Sequence, residues 1–459
     1  MDLVFNFFSN ISKIAKTFEL GSTRMKIEKL FLRLAIPFLL ISIFVMPVTK
    51  VPDEATHAFM SWNILFDSPT SRDTEAMNEL RAADFTYSEP EIHAVDSTEY
   101  SSLFTKIRDF SKDKLSIDFS LKSLMSTPQL IGLVVGKLLY PSYGMMVTIG
   151  RLFNTIVYII GIYYLIKKIK YGKMTLFFVS LLPMMIQQAG SLSYDVVNYL
   201  AVVAFFVFYV NLLVDKVLTT RKFINLILLS LLLYLTKANN ILLLALLFFV
   251  DFEFEGVLSK FNSILKWIQK RRLPILILGF GLVLLVSYLF LHNRGGVVHF
   301  VKVMINSLFI NNRNDHLNGI LTVGIFGYFG WFVTQLPLWL IFIDIFIFTL
   351  LLFNDGNLKI SKTEGLASLF VLPVQVAIIV AGMYFAWTPT AIGPNAMISQ
   401  GAQGRYFTPF LVYLFPACLM LKEQVSVSVK QKYLIRLLTG TVVINFIMYL
   451  FLIVDYYWV

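Results

Sequence analysis

The chain has 459 residues, 57% of them hydrophobic and 15% charged, with a mean hydropathy of +0.72. Soluble domains are about half apolar and a quarter charged, so this balance excludes a soluble enzyme or binding domain and indicates a membrane protein. The net charge of +11 does not point to nucleic acid, because the basic residues gather in short loops between apolar runs, the pattern that sets orientation in a bilayer.

Within residues 1–30, Val4, Phe7, Phe8, Ile11, Ile14, Ala15 and Phe18 recur at helical spacing with Lys13 and Lys16 between them. This predicts an amphipathic helix on the cytoplasmic surface, not a cleavable signal peptide. A first span at 31–48, flanked by Arg24, Lys26, Lys29 and Arg33, exits outward. Residues 49–126 then form a partly helical extracytoplasmic loop with half of the chain's 28 acidic residues.

The run at 127–140 is short and contains Gly132, Gly136 and Lys137, so it is expected to be re-entrant or interfacial. The next run, 145–166, crosses to the basic loop of Lys167, Lys168, Lys170 and Lys173. Further spans follow at 174–190 and 196–214, then a short pair at 223–236 and 239–250, then 274–291, 336–353, 366–386, 406–421 and 434–454. Residues 292–335 and 387–405 become outer loops. The expected fold is all-α: one integral-membrane domain, a polytopic transmembrane helix bundle of about 11 spans, with the N-terminus inside and the C-terminus outside.

No internal repeat or P-loop is present, and Gly279-Phe280-Gly281 lies mid-span without the setting of a dinucleotide site. The single cysteine, Cys418, sits in an apolar run, which excludes an intrachain disulfide. The five histidines are scattered, and none has metal-ligand spacing.

The first informative cluster is Pro52-Asp53-Glu54-Ala55-Thr56-His57, immediately outside the first span. Pro followed by two acids reads as the first turn of a helix, with carboxylates at its positive end. His57, four residues after Asp53, can share a face with it and hydrogen-bond. Ordinary helix-start decoration would give the same pattern. Lys237, between two apolar runs too short to span, is placed part-way into the membrane beside Asn239 and Asn240. An ionisable residue at that depth is a functional candidate unless it snorkels to the interface. Gln403-Gly404-Arg405-Tyr406 brings an arginine to the mouth of a span, where its forked donors suit a phosphate or anchor a helix end. Asp195 is a second acid or a helix cap, Arg151 a phosphate contact or the partner of an acid. Arg294, Arg313, His292, Asp315 and His316 mark a polar outer loop that could meet an acceptor or simply be solvated.

These residues resemble a bacterial membrane-protein family catalogued as domain of unknown function 2142. The resemblance runs in order through the Pro52–His57 hexapeptide, Gly150-Arg151-Leu152-Phe153-Asn154, Leu182-Pro183-Met184, Ser193-Tyr194-Asp195, Leu235-Thr236-Lys237 and Gln403-Gly404-Arg405-Tyr406-Phe407. Ala55-Thr56 stand where family members often carry a second proline. The family is itself similar to the GT-C integral-membrane glycosyltransferases. That likeness implies a polyprenyl-phosphate-sugar donor, acceptors outside the cytoplasm, and an acidic base in the first outer loop; undecaprenyl phosphate is then the expected carrier and an envelope glycan the expected acceptor. The base position falls on Asp53, with Glu54 beside it.

Such a transfer needs one carboxylate to accept a proton and cations to steady a phosphate. Lys237 and Arg405 are assigned to the phosphate by residue type and placement, with His57, Arg151, Tyr406, Gln403 and Asp195 around them. No cofactor is required, although the outer acids leave room for a divalent metal. The expected partners are membrane lipid, the lipid-linked donor and the glycan acceptor, with no nucleic acid, in the bacterial plasma membrane. A transporter or flippase of a lipid-linked saccharide is the alternative, and a non-catalytic scaffold for envelope synthesis a third.

Overall fold

The computed structural model describes residues 26–67, 94–310 and 319–459, apart from positions 112, 119, 293, 320, 331, 332, 394 and 426. The amphipathic helix expected within residues 1–30 lies almost wholly outside the described residues, as do Arg313, Asp315 and His316. In chain order the helices are α1 (Ile27–Val45), α2 (Glu54–Trp62), α3 (Ser97–Thr105), α4 (Thr127–Leu139), α5 (Tyr143–Lys168) and α6 (Lys173–Ser180). Next come α7 (Pro183–Ala189), α8 (Asp195–Asp215), α9 (Thr220–Thr236), α10 (Asn262–Lys270), α11 (Arg272–His292) and α12 (Gly296–Phe309). The last are α13 (Val323–Phe326), α14 (Leu338–Asn354), α15 (Lys362–Ala386), α16 (Thr388–Ala391), α17 (Leu414–Leu421) and α18 (Gln431–Tyr457). The sheet content described is three short two-stranded pairings.

Among the described residues, six segments are long and apolar enough to cross a bilayer: α5, α8, α11, α15, the run Gly404–Leu421 and α18. Shorter apolar helices accompany them at Ser123–Leu139, Ala238–Phe249, Gly296–Phe309 and Leu338–Asn354. The chain is therefore a multi-pass helical membrane protein. About eleven crossings remains an expectation from charge and hydropathy.

Two features of the bundle position the site. The run at 174–190, expected as one span, is broken between α6 and α7. Pro183 lacks a backbone N–H and pushes Leu182 out of the helical region, to φ −58° and ψ 140°. Every residue of α7 is buried, so this irregular backbone is enclosed by protein, as a bilayer requires.

The second feature is a hairpin. Helix α9 and the 3-10 helix Ala238–Phe249 run out and back, with Lys237 extended at their junction (φ −151°, ψ 124°). Their far ends are tied by parallel pairing of Val217–Thr219 with Glu253–Glu255, which leaves Lys237 at the opposite tip. Beside those tied ends Asp215 pairs with Lys170 and Lys222, and Lys216 with Glu364. Helix α8 runs 21 residues, roughly 30 Å at 1.5 Å per residue, from that basic end to Asp195. One end of the bundle thus gathers loop lysines, and the other receives Asp195 and Lys237.

Elsewhere small residues and polar pairs fix helix contacts. A Cβ on Gly132 of α4 would come within 2.5 Å of the Gly150 Cα on α5, so glycine permits the two backbones to touch. On the outer side of α4, Ile131, Leu138 and Leu139 stay exposed. Phe38 stacks on Phe446 at 3.9 Å and the Ser42 and Tyr449 hydroxyls meet at 2.9 Å, which holds α1 against α18. The Asn445 amide donates to Asp344 at 2.7 Å, joining α18 to α14.

Candidate functional site

The first outer segment turns sharply between α1 and α2. Asp53 caps α2 in the left-handed region (φ 65°, ψ 8°) and makes no side-chain capping bond. Pro52 therefore precedes the cap instead of opening the helix, contrary to the sequence expectation. Asp53 tolerates this backbone better than most residues. The conformation separates the two neighbouring carboxylates: Glu54 is 1% exposed, whereas the Asp53 side chain is 40% exposed.

Glu54 enters the protein and meets Arg151 of α5 in a bidentate pair. Arg151 Nε donates to Glu54 Oε1 at 2.8 Å and Nη2 to Oε2 at 2.6 Å. The remaining donors reach the carbonyls of Ile43, Met46 and Pro47. All five guanidinium N–H groups are thereby engaged. Glu54 also accepts from the backbone N–H of Thr49 and Leu192. The pair welds the end of α1 to α5 and to the turn before α8, and Arg151 keeps no donor for a ligand.

Asp53 belongs to a second, more open cluster. Arg405 Nη2 donates to Asp53 Oδ2 at 2.6 Å, and its Nη1 reaches the Pro52 carbonyl at 3.1 Å and Gln188 Oε1 at 3.2 Å. Arg405 Nε lies 3.2 Å from Asp195 Oδ2, an ion-pair contact without hydrogen-bond alignment. Lys237 Nζ stands 2.8 Å from Asp195 Oδ1 and 4.0 Å above the Tyr406 ring. The four charges alternate in the order Asp53, Arg405, Asp195, Lys237. The inner two side chains are 3% and 9% exposed, while the outer two, Asp53 and Lys237, are 40% and 21% exposed. The ends of the chain face outward and its middle is sealed.

Arg405 owes its position to a close backbone crossing. A Cβ on Gly404 would fall 2.1 Å from the carbonyl of Gly324, so glycine is required where the loop enters the bundle. Thr408 Oγ1 then donates to the Ile325 carbonyl and fixes the next turn.

His57 lies on the first turn of α2, but its side chain does not bond Asp53. Only the backbone does, through His57 N–H to the Asp53 carbonyl at 2.9 Å. The ring meets Tyr194 edge-on at 4.6 Å, and its buried Nδ1 has no hydrogen-bond partner among the described residues. Burial first, then the Arg405 charge, hold its pKa down to about 4 against the opposing pull of Asp195, Asp53 and Glu54. The ring is therefore neutral near pH 7.

Asp195 opens α8, where its backbone N–H is taken by Ser193 Oγ, and its carboxylate serves the two cations instead of capping. Gln403 precedes Arg405, and its buried Oε1 has no partner among the described residues. Gln188 of α7 was not singled out in the sequence. It lies in an apolar run that reads as a plain span, and only the break at Pro183 hints that α7 is special. It is 1% exposed and its Nε2 also lacks a partner. A buried polar group left unpaired costs about 1–3 kcal/mol. Three such atoms around Arg405 mark hydrogen-bonding capacity that a ligand or water can fill.

Asp53, Asp195, Lys237, Arg405 and Tyr406 are thus brought together, with His57, Gln188 and Gln403 at their edge. Glu54 and Arg151 stand behind them as a separate pair. Among the described residues no three His, Cys, Asp or Glu side chains converge as a metal site.

A multi-pass helical membrane protein with an ionic cluster at one end of its bundle is the class that fold and site define. The family model described as "Predicted membrane protein (DUF2142)" matches residues 37–414, and the chain belongs to that family. No curated protein and no solved structure matches the chain.

Proposed function

We propose that the protein is a GT-C-type glycosyltransferase of the bacterial plasma membrane. It moves a sugar from a polyprenyl-phosphate donor, with undecaprenyl phosphate as carrier, to an extracytoplasmic envelope glycan. The observation that carries this reading is the half-exposed Asp53 carboxylate joined to buried Arg405 at the mouth of a span. Asp53 has Arg405 as its side-chain partner through one oxygen, which leaves the other for a substrate hydroxyl.

In the reaction the acceptor oxygen attacks the anomeric carbon from the face opposite the phosphate. The bond from that carbon to the phosphate oxygen breaks and its electron pair stays on the polyprenyl phosphate. The hydroxyl proton passes to Asp53, and the anomeric configuration inverts. General-base help of this kind is worth about 10²–10⁴-fold. Lys237, which keeps donors beyond its contact to Asp195, meets the phosphate as its charge grows. Arg405 orients Asp53 and carries positive charge between the two acids. Neutral His57 adds a hydrogen-bonding ring without another charge. At rest the four ionised groups sum to zero, so the cations are held in place by carboxylates until an anionic donor competes for them.

A flippase for a lipid-linked saccharide is the second reading, favoured by the broken helices at Leu182 and Lys237, since transporters bind substrates at discontinuous helices. Envelope-glycan composition in a deletion strain, measured by mass spectrometry, tests the transferase. One sugar is expected to vanish from the glycan while its lipid-linked donor accumulates on the outer leaflet. Accumulation on the inner leaflet would sink the transferase and support the flippase.

A further inference from the structure

Away from the ionic cluster, one cavity has chemistry that the transfer itself does not use. It measures about 500 Å³ and lies where α11 and α15 end and α12 begins. A volume between about 300 and 1,000 Å³ suits a small ligand, roughly two sugar rings here. Arg294, His299, Tyr384, Phe385, Thr388 and Asn395 line it.

Arg294 is the informative member. Its guanidinium lies 3.9 Å from the centre of the Phe290 ring and 5.8 Å from that of Phe385, and no carboxylate pairs with it among the described residues. A cation stacked on aromatic rings is held flat with its N–H edge open. The rings beneath are themselves fixed, Phe300 on Phe385 at 5.5 Å and Phe290 against Phe385 at 5.2 Å. His299 Nε2 and the Tyr384 hydroxyl meet at 2.9 Å across the wall. The cavity thus combines one available cation, flat apolar faces, and hydrogen-bonding groups from His299, Tyr384 and Asn395. Apolar faces suit the C–H side of a sugar ring, the polar groups suit its hydroxyls, and the guanidinium suits a carboxylate or phosphate.

Its place in the chain ties it to the ionic cluster. Thr388 Oγ1 accepts from the Gln400 N–H at 2.9 Å, which closes the loop from α15 back on itself five residues before Arg405. Ser399 N–H donates to Ser307 Oγ at 2.8 Å and Asn306 donates to the Met397 carbonyl at 3.0 Å, so α12 holds the same loop. One braced loop therefore joins the cavity wall to Arg405.

We infer that this cavity binds a hydroxyl-rich anion, an acidic saccharide segment of the acceptor. The acceptor role rests on the transferase reading; the binding does not. An anionic lipid headgroup shares the chemistry, so the test separates the two sources. The full-length protein in phosphatidylcholine nanodiscs is titrated with a glucuronate-containing tetrasaccharide, and with cellotetraose as the neutral control, by calorimetry. Saturable binding of the acidic probe is expected, at least tenfold weaker for cellotetraose and at least tenfold weaker in R294Q. Because Asn395 also faces the cavity, N395D should weaken the acidic probe by placing a like charge there. Binding is read with no donor present and no transfer, which keeps this result distinct from any failure of Asp53 as base. Absence of saturable binding, or equal binding by R294Q and N395D, overturns the site. If phosphatidylglycerol in the nanodiscs abolishes saccharide binding in an Arg294-dependent way, the headgroup is the occupant and the acceptor assignment falls.

Discussion

Asp53 and Glu54 are neighbours in the chain, both acidic and both paired with an arginine, yet they sit in opposite environments. Glu54 and Arg151 are buried together, with every guanidinium donor engaged and both carboxylate oxygens taken. Asp53 meets Arg405 through a single oxygen and stays 40% exposed. A saturated buried pair gives a rigid joint with nothing left to offer a substrate. An open pair one residue away retains a lone carboxylate oxygen, and the rigid joint behind it keeps that oxygen in place. The left-handed backbone at Asp53 divides the two roles between adjacent residues.

Breaking the saturated pair should have the largest effect. Removing one partner of a buried ion pair leaves the other charged and unpaired, at about 3–5 kcal/mol. R151M and E54Q should therefore lower the amount of folded protein in the membrane, as quantitative immunoblotting after detergent extraction would measure. Recovery of normal abundance in the double variant R151M/E54Q, relative to R151M, would show that the unpaired charge and not lost volume is the cause.

D53N should act on chemistry at unchanged abundance, with transfer falling about 10²–10⁴-fold. A comparable loss of protein in D53N would erase the distinction between the two acids.

A pH effect sharpens the comparison further. The folded-state pKa of His57 lies at about 4, below its ordinary 6.5, so the unfolded chain binds more protons between those values. Stability from this group is complete above about pH 6.5 and is lost as pH falls toward 4. Between pH 7 and 5 the expected loss is about 2 kcal/mol. Thermal melts of wild type should decline across that interval more steeply than those of H57F, which keeps a ring against Tyr194 but cannot titrate. Parallel curves would remove His57 as the titrating group.

The smallest effect is expected at the far end of the cluster. K237M should raise the donor KM about tenfold, equivalent to roughly 1.4 kcal/mol, with abundance near wild type because Asp195 keeps Arg405. An unchanged KM would take Lys237 out of donor binding.

Much of this was legible in the sequence for a physical reason. Charges among apolar residues stand out, so Asp53, Asp195, Lys237 and Arg405 could each be singled out as candidates. The hairpin with Lys237 at its tip followed from two runs too short to span. Pairing was not legible: Asp53 and Arg405 are 352 residues apart, and nothing local tells Asp53 from Glu54. The Asp53–His57 spacing suggested a hydrogen bond, but Asp53 turns away in its left-handed conformation and Arg405 takes its carboxylate. Gln188 escaped because an amide within an apolar run carries no charge to draw notice. The broken span could have been read from Leu182-Pro183, where hydropathy alone gave one continuous run.

The most direct test compares D53N with E54Q in a deletion strain, measuring the glycan sugar per copy of folded protein in the membrane. D53N should show normal copy number and almost no sugar per copy, whereas E54Q should show few copies with near-normal sugar on each. Wild-type sugar per copy in D53N would contradict the assignment of Asp53 as the base.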